Sequence, residues 1–493
     1  MPAGMKLQAL NAISTVPGLV EFREPHASNK NFAPRIGLAY SPGNKGTTSI
    51  RAGLGMAYDV IFDNVGITAL PPQFSATVDA ENFPTVFTAP FLAQGGLKPG
   101  RVITGSDLTR ADARAATSSF IPDQVLPYSI QWTLGVQHQV QNDYTVEVRY
   151  LGTRGVHLLV QSELFQPAPV QPGRSLPSYL SRPSQAVLNS LSLTEEQLEV
   201  ERGRNPILGP LGFFQAVAWW PPIGNSFYHG LAAQVTRRFA RGLQFVGAYT
   251  WSHNIDDSTA THFGTFLTPR RPQDFLNMQL EKASSALDRR HRATMSWTYE
   301  PQWMKGVSSR IARNLAGNWR WSGFYTYESP EYVTAQSLQD SNLNGDSVGD
   351  RTVINPAGDP FKGSDVTPLL NSAGQTVAYL ATDPTARYIK AGLGAFPNGG
   401  RNTLPTRPIH NFDMSFGKKF GIREAQTLEF RADIGNIFNH PQYTPGYVNS
   451  VRLNNSFTTS RTFLGPQNTD FAKWDQVFNS NARSVQLAVR FVF

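Results

Sequence analysis

Residues 484–493 read SVQLAVRFVF, and their alternation decides the fold. Val485, Leu487, Val489, Phe491 and Phe493 fall on one face of an extended chain, while Ser484, Gln486, Ala488 and Arg490 fall on the other. Strict period-two alternation specifies a β-strand with one apolar and one wet face. About ten residues tilted near 45° is also the length that carries a β-strand across a bilayer. One such strand could edge a soluble sheet, so the argument rests on recurrence.

The pattern recurs through most of the chain. Alternation marks strands at Arg35–Tyr40, Ser49–Tyr58, Tyr128–Val140, Tyr144–Leu151, His229–Phe239, Leu243–Ser252, Arg292–Glu300, Trp319–Glu328, Asn411–Phe420, Thr427–Asn439 and Ser484–Phe493. In Tyr144–Leu151 the residues Tyr144, Val146, Val148 and Tyr150 oppose Thr145, Glu147 and Arg149. Charge on one face and aliphatics on the other suit a wet lumen in a lipid setting.

The connections fall into two classes that alternate. Short ones run from three residues (Gln141–Asp143) to eight (Ser41–Thr48), with one of eighteen at Pro301–Asn318. Long ones run from 39 residues (253–291) to 82 (329–410). Structureless loops of that length argue against a compact soluble domain, and a propeller or sandwich would space its turns evenly. The expected fold is therefore all-β: an antiparallel transmembrane β-barrel with about eleven strands, short periplasmic turns and long extracellular loops. In this topology the last strand descends to the short-turn side.

Composition agrees. Charged residues are only 16%, below the roughly 25% of ordinary globular domains, while aromatics reach 11% with 31 Phe. Mean hydropathy is −0.30, and no stretch is apolar for long enough to form a transmembrane helix. That excludes helical spans and leaves strands untouched, since a barrel offers lipid every second residue. With no cysteine there is neither a disulfide framework nor a thiolate metal site. The net charge of +8 is spread along the chain without a basic helix, so no nucleic-acid partner is expected. Residues 1–20 lack the charged, apolar and small-residue regions of a signal peptide.

Several segments resemble TonB-dependent outer-membrane receptors of the Oar-like group, which bear a carboxypeptidase-regulatory-like domain and abound in acidobacteria. The clearest is Gly400–Tyr443 (GRNTLPTRPIHNFDMSFGKKFGIREAQTLEFRADIGNIFNHPQY), together with NFAPRIGLAY at 31–40, YTVEVRYLGTRG at 144–155, GAYTWSHNIDDS at 247–258, DRRHR at 288–292 and the final strand. The resemblance implies a bacterial outer-membrane location and a barrel of twenty-two strands, of which this chain would supply the carboxy-terminal half, with an open curved sheet as the expected structure. It also implies a signal peptide, regulatory-like domain and TonB-contacting plug, which the sequence does not display. On this reading residues 1–30 are a loop remnant and 31–493 an incomplete barrel. Phe491 and Phe493 look like the signature read by the barrel-assembly machinery.

The sharpest local motif is DSNLNGDSVGD at 340–350. Asp340, Asn342, Asn344 and Asp346 stand at alternate positions with Gly345 sixth, as in the first half of an EF-hand calcium loop. The twelfth position is Arg351, leaving Asp350 as the substitute ligand for a structural calcium ion. The plainer reading is a solvated Asn/Asp/Gly turn. His253, Asp256 and Asp257 read as loop anchors before metal ligands. Asp288–Arg292 reads as a strand entry whose arginines pair with lipopolysaccharide phosphates or lumen carboxylates. Trp219 and Trp220 read as loop core before a sugar platform.

No nucleophile elbow, phosphate loop or zinc motif appears, so an enzyme is not expected. The leading expectation is a TonB-dependent receptor barrel importing a bulky nutrient, a glycan fragment or metal chelate, past lumen residues Glu147, Arg149, Gln244, Arg431 and Arg490. Its partners would be outer-membrane lipid, lipopolysaccharide, the assembly machinery, and TonB through a plug. The alternatives are a surface adhesion protein without transport and a soluble carbohydrate-binding protein.

Overall fold

A computed structural model describes residues 15–20, 30–59, 109–115, 117, 119–120, 125–164, 166–202, 207–213, 217–259, 271–346, 350–423, 426–444 and 463–493. Among the described residues, eleven strands form one antiparallel meander in which each strand pairs with the next in the chain. They are β1 (Arg35–Tyr40), β2 (Thr48–Tyr58), β3 (Tyr128–Val140), β4 (Tyr144–Leu158), β5 (Gly224–Ala240), β6 (Leu243–Asp256), β7 (His291–Tyr299), β8 (Trp319–Glu328), β9 (Ile409–Arg423), β10 (Gln426–Gly435) and β11 (Ser484–Val492). β1 and β11 lie at opposite ends of the path, so the sheet is open, in line with the open sheet expected of part of a barrel. No described helix is long and apolar enough to cross a membrane.

Register makes the two faces continuous. Leu38 lies opposite Ala52, Ala52 opposite Leu134, Leu134 opposite Tyr150, Tyr150 opposite Leu231 and Leu231 opposite Trp251. At the far end Ile434 meets Val485 and Phe430 meets Val489. Directly opposed residues share a face, so the apolar side chains merge into one exposed band. Charges that fall on this face sit at its rims and lie over rings: Arg237 5.5 Å from the Tyr144 centroid and Arg154 5.2 Å from Phe227. Between them, residues 144–154 measure the apolar height at about the ten residues a tilted spanning strand needs.

Several strands outrun their alternation. β4 has 15 residues and β5 has 17, so they continue past the apolar band toward the long connections, whereas β9, also of 15, runs on past Phe420 to Arg423 on the short-turn side as well. Alternation fades there because glycines and hydroxyls replace the aliphatics, which is why β4 read as ending at Leu151. β10 is shorter than expected: it stops at Gly435, where Asn436 turns with φ 48°. At the opposite edge, β5 and β6 join through Arg241-Gly242, both at positive φ (51° and 82°), as the twist of a two-residue hairpin requires. The long turn at 300–318 contains a helix, Arg310–Ala316, capped by Ser309. The Lys418 amine donates to the carbonyls of Leu315 and Gly317 at its carboxy-terminal end.

The long connections are not structureless, which corrects the expectation. Those after β4 and β8 pack on each other. Val170, Leu176 and Leu198 from the first share a buried cluster with Leu343, Tyr379 and Ala391 from the second. A second cluster joins Val333, Tyr388 and Leu404 to Phe463, Trp474 and Phe478 from the connection after β10. Small sheets order them, including Val366–Leu370 with Thr376–Ala381 and Ser178–Tyr179. The buried core of the protein lies in this cap.

Candidate functional site

Two places bring chemistry together, one on the polar face and one in the cap. On the polar face Glu147 and Arg149 form an ion pair, with Gln137 and Gln234 opposite Glu147 on the flanking strands. Gln244 lies opposite Thr298. Arg431 and Arg490 line a cleft of about 610 Å³ with Glu300, Arg320, Lys419 and Glu429. Within it Lys419 pairs with Glu429 at 2.6 Å and Arg320 with Glu300 at 2.5 Å, while Arg431 pairs with Asp433 at 2.9 Å. The sequence-predicted lumen residues thus share one face without forming one site. Glu147 and Arg431 sit on strands six positions apart, about 29 Å along the sheet.

In the cap, Asn342, Asn344, Asp346 and Asp350 are buried and Asp340 is half-buried. Asp340 accepts from the backbone N–H groups of Asn344 (3.0 Å) and Gly345 (2.8 Å). Asn342 Oδ1 accepts from Asn344 N–H at 3.0 Å, and Asn344 Oδ1 from Asp346 N–H at 2.9 Å. Gly345 has φ +88° with open space around a would-be Cβ, so glycine is there for backbone conformation. Asp350 Oδ2 accepts from Asn342 N–H at 3.1 Å. Burial pushes the Asp350 carboxyl well above the usual carboxylate range, and Asp340 and Asp346 beside it push the same way. Asp340 is raised by burial too.

Glu163 and Arg271 complete this corner and were missed by sequence reasoning. Arg271 bridges Glu163 and Asp346, the latter at 2.8 Å. Burial, only partly offset by Arg271, raises Glu163 to about 6. Neither residue lies in a motif, and each reaches the loop from another connection. No group of three or more His, Cys, Asp or Glu among the described residues closes into a ready-made metal cage. The loop's donors are a mixture of carboxylates and carboxamides.

Arg351 is no calcium ligand. It pairs with Glu281 and donates to Gly399 O at 3.2 Å. Glu281 in turn accepts from Gln273 N–H at 2.9 Å. Arg401 pairs with Asp256 at the end of β6 and donates from Nε to Glu281 O at 2.8 Å. These buried charges tie the cap to the sheet. Asp257 accepts from Asn225 N–H at 2.8 Å, and His253 lies 3.1 Å from Ser284 Oγ, so all three residues at this strand exit have anchoring partners. Arg289 and Arg292 pair with Glu328, and Arg289 with Glu331. Trp220 is buried. Phe491 and Phe493 stack with centroids 6.0 Å apart and stand exposed on the apolar face.

Residues 19–486 match the family described as an outer membrane beta barrel domain. The chain belongs to this family. It is a protein of the bacterial outer membrane, and its apolar band is accordingly the lipid-facing surface.

A comparison with curated sequences finds no significant match. Among solved structures, this outer-membrane β-barrel chain is similar to the outer membrane transporter YddB from Escherichia coli, at 8% identity and TM-score 0.40, over 94% of this chain and 41% of that one. It is also similar to a mutant ferric enterobactin receptor, PfeA, of Pseudomonas aeruginosa, at 9% identity and TM-score 0.40, over 94% and 40%. A third is the ferripyoverdine receptor of the outer membrane of Pseudomonas aeruginosa, at 10% identity and TM-score 0.38, over 94% and 33%. The chain spans about 40% of the length of the first of these proteins.

Proposed function

We propose that this chain forms part of the barrel of a TonB-dependent receptor that takes up a bulky nutrient, a glycan fragment or a metal chelate. The observation that supports this reading is the two-faced sheet. Its lipid side is an uninterrupted apolar band, and its other side carries paired charges and amides (Glu147 with Arg149, Arg431 with Asp433, Lys419 with Glu429). Such a wall guides a polar cargo without holding it, because the charges in these pairs already offset one another and offer no single deep sink. On this reading the short turns face the periplasm, the cap faces outward, and the basic rim residues meet lipopolysaccharide. Energy would come from TonB through a plug domain.

The test is uptake in the native host. Deleting the coding region should abolish accumulation of one class in a panel of labelled oligosaccharides and ferric chelates, and a protonophore should abolish the same accumulation in the parent. Loss of cell-surface binding with no energy-dependent uptake to lose would favour the second reading, a surface adhesion protein. The specific feature favouring that alternative is the cap, which is ordered by its own hydrophobic cores.

A further inference from the structure

We propose that the 340–350 loop holds a divalent cation, calcium, on oxygen ligands from Asp340, Asn342, Asn344, Asp346 and Asp350, and that this ion fastens the cap. The inference is independent of whether the protein transports anything.

The decisive observation is Asp350. It is 1% exposed, and one carboxylate oxygen accepts from Asn342 N–H while the other, Oδ1, is buried with no hydrogen-bond partner among the described residues. A bare buried carboxylate oxygen is costly. Asp340 and Asp346, whose charges bear on it, are also acids. Arg351, next in the chain, does not help, since its guanidinium is committed to Glu281 and to the carbonyls of Gly399 and Leu280. Arg271 reaches Asp346 but is shared with Glu163. Asp350 is thus a buried acid with a bare oxygen, the acids Asp340 and Asp346 bear on it, and the one arginine that reaches Asp346 is shared with Glu163, so a dication supplies the missing charge.

The donor set fits calcium. Every candidate ligand is oxygen, carboxylate or carboxamide, and nitrogen and sulfur donors are absent from the motif, which disfavours zinc and copper. Calcium accepts six to eight oxygens in flexible geometry, including carbonyls and water, so a loop without a cage of three close carboxylates can still hold it. Asp340 receives the N–H groups four and five residues onward, which holds its carboxylate in place at the loop's first position. Leu343, between the ligands, is buried in the core shared by the two long connections. An ion there would lock that core to the loop.

The experiment begins with the full chain refolded in detergent and stripped with chelator. Calcium titration by calorimetry should show one site with an affinity of order 10⁻⁴ to 10⁻³ M, typical of extracellular modules, and magnesium should bind at least tenfold more weakly. Calcium should also slow protease cleavage within residues 329–408 severalfold. Asp350→Asn should lose at least tenfold in affinity while the sheet still runs as a folded species. If Asp350→Asn does not fold, Asp340→Asn, at the less buried end of the loop, serves in its place with the same expected loss. Absence of a binding isotherm with the parent chain overturns the proposal. So does calcium binding unchanged by the variant, or cleavage indifferent to calcium.

Discussion

The indole of Trp132 on β3 lies over Gly152 of β4, its register partner, and fills the space a side chain would need. An ideal Cβ on Gly152 would sit 2.1 Å from Trp132 Cε2. Gly323 of β8 stands in the same relation to Trp297 of β7, at 2.4 Å. Each large ring is thus paired across the sheet with a residue that has no side chain, and the ring covers the glycine backbone, which is buried in both cases, an arrangement that pins register in designed sheets. Gly152→Ala should therefore destabilise the sheet by about 1–3 kcal/mol, the usual cost of overpacking. Denaturant unfolding in detergent measures it. The Gly152→Ala, Trp132→Ala double variant should lose less than the sum of its singles, because with the ring gone the methyl has room.

The lipid-facing assignment makes an asymmetric prediction for neighbours on β3. Leu134 is 52% exposed on the apolar face between Ala52 and Tyr150, whereas Thr133 faces the polar side. Arginine at the first position should cost about 2–4 kcal/mol in a bilayer, and at the second well under that. The fraction of heat-modifiable, folded protein recovered in vesicles at graded urea would measure both. Equal losses would mean that the two faces are not in different solvents.

The buried charges at Arg401 predict a defect confined to the cap. Arg401 pairs with Asp256 and also donates to Thr259 Oγ1 at 3.1 Å. Arg401→Met leaves the Asp256 carboxylate buried without its arginine, while Glu281 keeps Arg351, for an expected cost of about 3–5 kcal/mol. Limited proteolysis should then cut within residues 329–408 while the sheet keeps its heat-modifiable mobility. Adding Asp256→Leu should restore part of the protection, since removing the second charge removes the unpaired burial.

The sheet was legible in the sequence, and the cap was not. Every strand of the meander announced itself through alternation, because one of its faces meets a single solvent and must repeat every second residue. Strand ends were less legible: β4 and β5 run past their apolar stretch into positions such as Gly152, Gly155 and Asn225, where the strand's own residues no longer alternate. The cap obeys no period at all. Its cores join Val170 to Tyr379 and Tyr388 to Phe471, contacts between connections far apart in sequence, so the residues that order it look like ordinary loop hydrophobics. The 340–350 motif was readable because its donors are contiguous. Glu163 and Arg271, which close the same corner, were not, because they arrive from separate connections. Arg351, which breaks the calcium pattern at its twelfth position, has its explanation in Glu281, 70 residues away.

The final strand carries a prediction about assembly. β11 pairs only with β10 among the described residues, and its apolar side chains Val485, Leu487, Val489 and Phe491 all stand exposed on the lipid face, with Phe493 89% exposed beyond the last pair. Phe493 makes a stacked contact with Phe491 and otherwise adds little to the sheet. Its removal should therefore leave the stability of refolded protein within about 0.5 kcal/mol of the parent, as for other surface changes. If the terminal aromatic pair is what the barrel-assembly machinery reads, the same deletion in cells should cut the amount of folded protein in the outer membrane several-fold, with the remainder trapped in the periplasm. Quantitative blotting of outer-membrane fractions, set beside refolding in detergent, separates the two effects. A loss of stability in detergent that matches the loss in cells would make Phe493 a structural residue, whereas undiminished insertion would strip the carboxy-terminal pair of any signalling role.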